Sequence, residues 1–319
     1  MKTGRGKKPG YAGDDCNLDE HLSPQCVYVA GTGRNGSTLL GLQLERSPDI
    51  CLAGELTHLW ERGWKENQLC GCGTSFRECE FWIAVLREAF STVAEKDVDE
   101  FIRLRRQVSG LRGLVSLRLG QQHVDDDTVS EYGAIHQSLI AAIAKVSGRR
   151  TVVDSSKYPT DLATMLRANP QTKAIHLVRD CRAVVYSWRR KKKRTEIHWK
   201  DQLMPRYGAF QTALAWKQFN SVIGRLIQPP LISSRLLRYE DLVSDLPKEL
   251  LDLTEWLGCR PPTDVSIGCL GHSVSGNPCR FGFDHANVRP DTEWQTEMSR
   301  IDRWITWLLC RDLQKRYGY

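Results

Sequence analysis

Cys26-Val27-Tyr28-Val29-Ala30 runs without a break into Gly31-Thr32-Gly33-Arg34-Asn35-Gly36-Ser37-Thr38, and Leu39, Leu40, Leu42 and Leu44 follow. A short apolar run bounded by glycine reads as a buried strand, and the leucines suit a packed helix that Ser47-Pro48-Asp49 closes. The unit is strand, Gly-rich loop, helix. Three readings of the loop compete. Gly31-x-Gly33-x-x-Gly36 matches a dinucleotide fingerprint, with Glu55 in place for a ribose-binding acid. Against this, Ile50-Cys51-Leu52-Ala53-Gly54 reads as a poor strand, and Arg34 is a charge where only backbone is needed. Gly31 and Gly36 also have Walker A spacing, but Ser37 stands where the phosphate-binding Lys belongs, which disfavours a kinase or ATPase. The third reading keeps the backbone cradle: the amides of residues 34–38 open a helix and form an anion nest. Arg34 adds a guanidinium fork, and Ser37 and Thr38 add hydroxyls. That describes a phosphate-ester site with no need of a divalent metal.

Further strands are expected at Thr151-Val152-Val153, ending in Asp154-Ser155-Ser156-Lys157, at Ala174–Val178, ending in Arg179-Asp180, and at Arg235–Tyr239. Helices are expected after Pro159, through Trp188, over Ala209–Ile227, over Leu246–Leu257 and over residues 293–316. Residues 80–149 and 189–227 read as largely helical, and residues 260–292 as loop. Strands separated by helices imply an α/β fold, a central parallel sheet flanked by helices. Sites in such folds lie at the carboxyl ends of strands, where each of these polar clusters falls.

The chain has 319 residues, 41% of them hydrophobic and 26% charged, which excludes a disordered or fibrous protein and suits one large domain over residues 23–319. No run approaches the roughly 18 apolar residues of a membrane span. Residues 1–22 read as a flexible tail. Met1–Asp15 is basic and Gly-rich without an apolar run, so no secretory signal is expected and the cytoplasm is the expected location. A net charge of +7 suits an anionic ligand and, being spread along the chain, does not imply nucleic acid. The dense run Arg189-Arg190-Lys191-Lys192-Lys193-Arg194 reads either as a solvated helix end or as an anion site. Eleven cysteines suggest free thiols. Cys70-Gly71-Cys72 and Cys79 give three possible metal ligands with His58 as a fourth, but the spacing is not a standard zinc signature. Buried or paired thiols are expected there, and no metal.

Gly31–Leu40 resembles the 5′-phosphosulfate loop of sulfotransferases that use 3′-phosphoadenosine-5′-phosphosulfate. Arg179-Asp180-Cys181-Arg182-Ala183-Val184-Val185-Tyr186-Ser187-Trp188 resembles their 3′-phosphate motif. Arg238-Tyr239-Glu240-Asp241-Leu242 resembles the family's R-Y-E-D-L, Gly271-His272-Ser273-Val274-Ser275-Gly276-Asn277-Pro278-Cys279-Arg280-Phe281 resembles a C-terminal cofactor loop of its bacterial and tyrosylprotein branches, and Cys70 to Trp82 resembles a segment of some bacterial members. The resemblance implies the P-loop-like sulfotransferase fold and the following roles. Arg34, Asn35, Gly36, Ser37 and Thr38 would hold the 5′-phosphosulfate. Arg179 and Ser187 would hold the 3′-phosphate, and Tyr239 would lie near the adenosine. Ser275, Gly276, Asn277 and Arg280 would close over the nucleotide. Glu55 would be the general base, and Lys157 with Arg34 would stabilise the transferring group. His58 and His272 are reserve bases. Glu55→Gln is expected to cut turnover while leaving thermal stability nearly unchanged. The implied acceptor is a small molecule, glycan or lipid bearing a hydroxyl or amine, in a pocket shaped by residues 80–149, the basic run and Trp199. An NAD(P)-dependent oxidoreductase and a catalytically inactive nucleotide binder stand as alternatives.

Overall fold

A computed structural model describes residues 23–228, 230, 232–263, 271–285 and 288–319; the expected tail, 1–22, lies outside the described residues. The first strand, β1 (Gln25–Gly31), is the middle of a five-stranded sheet ordered β2-β3-β1-β4-β5, with β2 Ile50–Gly54, β3 Thr151–Lys157, β4 Lys173–Val178 and β5 Ser234–Arg238. Every pairing is parallel. The α/β class expected from the sequence is therefore the observed one.

Helices cover both faces of the sheet, and successive side chains of β1 divide between them. Val27 and Val29 pack with α1 (Ser37–Leu44), together with Leu250, Leu253 and Leu257 of a late helix. Tyr28 and Ala30 pack on the opposite side with Leu162 and Ile223. A strand apolar on both faces is what a doubly covered parallel sheet requires. Between β2 and β3 lie α2 (Glu80–Phe90), α3 (Glu95–Val108), α4 (Leu111–Arg118) and α5 (Asp126–Ser147). Around Trp60, Phe76 and Trp82, α2, α3 and α5 build a second core. α6 (Pro159–Ala168) opens on its proline, where the missing N–H costs nothing. α7 (Cys181–Arg189) is capped by Asp180, whose carboxylate accepts from the Arg182 amide at 2.8 Å. α8 (Ala209–Leu226), α9 (Tyr239–Ser244), α10 (Leu246–Leu257), α11 (Trp294–Glu297) and α12 (Arg300–Arg316) complete the chain. Among the described residues no helix is long and apolar enough to cross a membrane.

Three expectations need correction. Ile50–Gly54 is a strand: all five residues are buried beside β3, so the alternation that marks a half-exposed strand is missing. Residues 190–208 are not helical. Like charges from Arg189 to Arg194, with Pro205 and Gly208, disfavour a helix, and the segment folds back on itself through Arg194 N–H to Gln202 O and Met204 N–H to Lys192 O, both 2.8 Å. The closing helix is interrupted after Glu297, because Ser299 turns its hydroxyl to the Asp302 amide at 3.2 Å and starts α12 afresh.

Candidate functional site

The chain moves from β1 to β2 on one side of the sheet and later crosses to β4 on the other, so the order reverses beside β1. In open α/β sheets the crevice at such a reversal is the natural ligand site. The Gly31–Thr38 loop occupies that position. Gly36 has φ +99°, and a Cβ there would lie 2.4 Å from the Tyr239 ring, so glycine is required twice over. Asn35 shapes the turn: its amide donates to Leu177 O at 3.0 Å and its Oδ1 accepts from the Ser37 amide at 3.2 Å. The Asn35 side chain is thus spent on the loop, leaving its backbone for an anion. α1 has no acidic residue in its first turn and no side-chain cap.

Arg34, Arg179 and Arg280 stand at this end of the sheet, each laid on an aromatic ring. Arg34 lies 4.6 Å from the Trp188 ring centroid, Arg179 4.3 Å from Tyr239 and Arg280 4.8 Å from Phe281. Arg34 itself has φ +71°, a strained backbone for a side-chain-bearing residue. Asp180 pairs with Arg182 at 2.6 Å rather than with Arg179, which reaches Arg34 O at 3.2 Å and Asp291 at 3.0 Å. Arg280 donates to Leu69 O at 2.8 Å. Among the described residues, buried guanidinium atoms remain without a partner at Arg34 Nε, Arg179 Nε and Arg280 Nε and Nη1. Buried donors without acceptors are costly, and an oxyanion ligand would satisfy them.

Glu55 follows β2, and β3 sets its position. The Leu56 amide approaches Asp154 Oδ1 at 3.4 Å and the Thr57 amide donates to Ser156 Oγ at 3.0 Å. The β1–β3 register shifts just before Lys157, whose φ is +77°. A bulge of this kind re-aims a side chain. It brings Lys157 Nζ to 2.6 Å from Glu55 Oε1 and 2.8 Å from Ser155 O. His58 Nε2 stands 3.6 Å from the other carboxylate oxygen and Arg62 Nη1 3.9 Å. Burial works to raise the Glu55 pKa, but Lys157, then His58 and Arg62, outweigh it and hold the carboxyl at about 2. Burial drives His58 well below its ordinary value, so it is neutral near pH 7.

The 271–280 segment closes this arrangement. Gly54 and Val274 form a parallel bridge, with Glu55 N–H to Val274 O at 2.8 Å and Val274 N–H to Ala53 O at 2.9 Å. A Cβ placed on Gly276 would lie 3.5 Å from Arg280 Nη1, 3.6 Å from Thr38 Oγ1 and 3.8 Å from Glu55 Oε1. The Gly-rich loop, the carboxylate and a buried cation therefore meet at one spot. Ser275 Oγ accepts from Arg62 at 2.8 Å, whereas Ser273 O accepts from Gly71 N–H and faces the cysteine loop. The Asn277 amide donates to Thr38 Oγ1 at 3.2 Å, and its side chain caps the Cys279 amide. Ser187 is buried on α7, next to the Trp188 that supports Arg34.

Several expected partners differ. His58 is beside Glu55, and it is His272 that joins Cys70, Cys72 and Cys79. The basic run is mostly paired with acids: Arg190 with Glu293 at 2.8 Å, Lys193 with Asp201 at 2.8 Å and Arg194 with Glu196 at 2.8 Å. Arg62 and Asp291 were not legible as site residues. Arg62 lies seven positions from Glu55, a helical repeat that hints at a shared face; Asp291 has no local signal.

The family described as Sulfotransferase family matches residues 24–263, about three quarters of the chain. No curated protein matches the sequence. Among solved structures, the chain is similar to the sulfotransferase domain of the Synechococcus olefin synthase, at 18% identity and TM-score 0.48, covering 94% of this chain and 97% of that one. It is also similar to a sulfotransferase of Mycobacterium avium, at 12% identity and TM-score 0.48, covering 94% of this chain and 78% of that one.

Proposed function

This chain belongs to the sulfotransferase family, and from that we propose that it moves a sulfuryl group from 3′-phosphoadenosine-5′-phosphosulfate to a hydroxyl or amine of a small acceptor. The observation that carries the reading is the meeting of Thr38, Glu55 and Arg280 around Gly276, with Lys157 on the carboxylate. In this reading the loop amides and Arg34 hold the 5′-phosphosulfate, and Arg179 holds the 3′-phosphate. The unpartnered donors of Arg34, Arg179 and Arg280 fit anionic oxygens.

The chemistry follows from the charges. The acceptor oxygen or nitrogen bonds to sulfur as the bond from sulfur to the phosphate oxygen breaks. The acceptor proton passes to Glu55, and the electron pair leaves with the phosphate. Held at about 2 by Lys157, Glu55 is a poor base. Once Lys157 turns to the sulfuryl oxygens, the largest charge holding the carboxyl down is withdrawn, and the proton affinity of buried Glu55 rises. One cation thus serves first as the partner of the base and then as the stabiliser of the developing charge. No step calls on a metal.

A dinucleotide-dependent oxidoreductase is disfavoured by the strand order. In that fold the strand ending in the ribose-binding acid lies beside β1. Here β3 separates β1 from β2, placing Glu55 one strand further away, about 4.8 Å. For the acceptor we propose that residues 190–208 form one wall, supported by the 2.9 Å contact of Met204 Sδ with Arg34 and by the exposure of Trp199, Leu203 and Tyr207. A transfer assay with sulfur-labelled donor and pooled phenolic, alcoholic, glycan and amine acceptors tests the proposal. Labelled acceptor that disappears with Arg34→Ala is the expected result. Donor binding without transfer to any pool would leave a nucleotide binder and overturn the enzyme reading.

A further inference from the structure

We propose that Cys70, Cys72, Cys79 and His272 bind one zinc ion in a closed structural site that fastens the 271–280 segment to the body of the protein. Their four ligand atoms lie within 4.8 Å of one another. Cys70 and Cys79 Sγ are 3.7 Å apart, Cys72 and Cys79 Sγ 3.8 Å. His272 Nδ1 is 3.3 Å from Cys79 Sγ and 3.9 Å from Cys70 Sγ. Zinc bonds of about 2.3 Å to sulfur and 2.0 Å to nitrogen at tetrahedral angles give edges of about 3.8 Å between sulfurs and about 3.5 Å from sulfur to nitrogen. A disulfide would need sulfurs about 2.05 Å apart, and these pairs are far beyond it. Three thiols and an imidazole form a soft donor set that suits zinc and disfavours magnesium or calcium. Four protein ligands leave no open position, the mark of a structural rather than a catalytic zinc.

The surroundings are built to hold this geometry. Cys70 and Cys72 sit on a tight turn closed by Cys70 N–H to Thr74 O at 2.8 Å and Gly73 N–H to Cys70 O at 2.9 Å. Cys79 is the N-cap of α2, so the start of that helix fixes its place. Phe81 stacks on the His272 ring at 4.7 Å and 13°, and Trp82 Nε1 donates to His272 O at 2.7 Å, so α2 fixes the imidazole from outside the ligand set. The ion would join a loop before α2 to a segment some 190 residues later. That segment carries Ser275, Gly276 and Arg280 to the candidate site, so the zinc would order the site without touching the reacting atoms.

The experiment measures metal content of the full chain, purified without chelator, and the visible spectrum of the cobalt-substituted wild type. One zinc per chain is expected, lost in Cys79→Ser and in His272→Ala, with a lower melting temperature once zinc is stripped. The cobalt form should show intense tetrahedral bands and a thiolate charge-transfer band, a readout that does not depend on how the variants fold. Three results would overturn the site: wild type that contains no zinc and takes up none on reconstitution, zinc content unchanged in Cys79→Ser, or cobalt spectra without thiolate ligation.

Discussion

Glu55 is buried and Lys157 half-buried, and the closest charge to each is the other, at 2.6 Å. Glu55→Gln is expected to reduce turnover by about 10²–10⁴-fold, the range for a lost general base. It should also lower stability, because Lys157 would then face a neutral amide and Ser155 O in place of a carboxylate. The sequence alone implied nearly unchanged stability, since it cannot place residue 157 against residue 55. Glu55→Gln combined with Lys157→Met should recover stability in urea unfolding without recovering turnover. Turnover of Glu55→Gln within about threefold of wild type, far short of that range, would remove it as the base. The acid dependence has a definite sign: the folded carboxyl lies near 2, below its ordinary value of 4.5, so the pair stabilises above that value and the contribution fades as pH falls toward 2. Unfolding of wild type and the double variant compared between pH 6 and 3 checks this. At the other grip, Arg179→Ala should weaken a 3′-phosphorylated adenine nucleotide about tenfold or more and scarcely affect its analogue lacking that phosphate. Asp291→Asn should do the opposite and tighten the 3′-phosphorylated nucleotide about fivefold, because the carboxylate on Arg179 would compete with phosphate for the same guanidinium. Calorimetry with both nucleotides separates these outcomes, and equal loss for both in Arg179→Ala would refute the assignment.

At the scale of elements, β4 and α8 are joined by a buried polar contact, His176 Nε2 to Asn220 Oδ1 at 2.9 Å. Burial pushes the His176 pKa down to about 4, below its ordinary 6.5. The unfolded chain therefore takes up a proton first, and stability contributed here is present above pH 6.5 and lost as pH falls toward 4. His176→Gln should flatten that part of the pH dependence in urea unfolding; an unchanged slope between pH 7 and 4.5 would show the contact has no such role. The elements divide clearly by how far their signals reach. The β1–loop–α1 unit was legible because strand, glycines and leucines are contiguous, and Leu246–Leu257 because proline and glycine bracket it. β2 was missed because a wholly buried five-residue strand has no alternation to read. Residues 190–208 were misread because charge density was taken as a helix face rather than as mutual repulsion. Of the proposed site residues, Arg34, Lys157 and Arg179 were singled out from their places after expected strands, and Glu55 from its distance to the Gly-rich loop and from the family resemblance. The His272 partnership and the Asp291 contact were not, since both depend on chain returning after more than 100 residues.

For the whole molecule, a nucleotide that binds only the folded state stabilises it by mass action. Adenosine 3′,5′-bisphosphate at a hundredfold excess over its Kd should add about 2.7 kcal/mol, read as a higher melting temperature, while NAD should add nothing. Stabilisation by NAD alone would revive the dinucleotide reading. The sheet order has a consequence of its own for how the chain is made. β1 leaves the ribosome first among the strands, yet it is the central one, and both strands that flank it are more than 100 residues downstream. At a synthesis rate of about 5–20 residues per second, its partner β3 emerges about 6–24 s later. Through that interval Val27, Tyr28, Val29 and Ala30, fully buried in the finished protein, have no strand to pair with. The nascent chain thus carries a naked apolar edge that chaperones must shelter, and recombinant yield should depend on that interval more than on the stability of the folded protein.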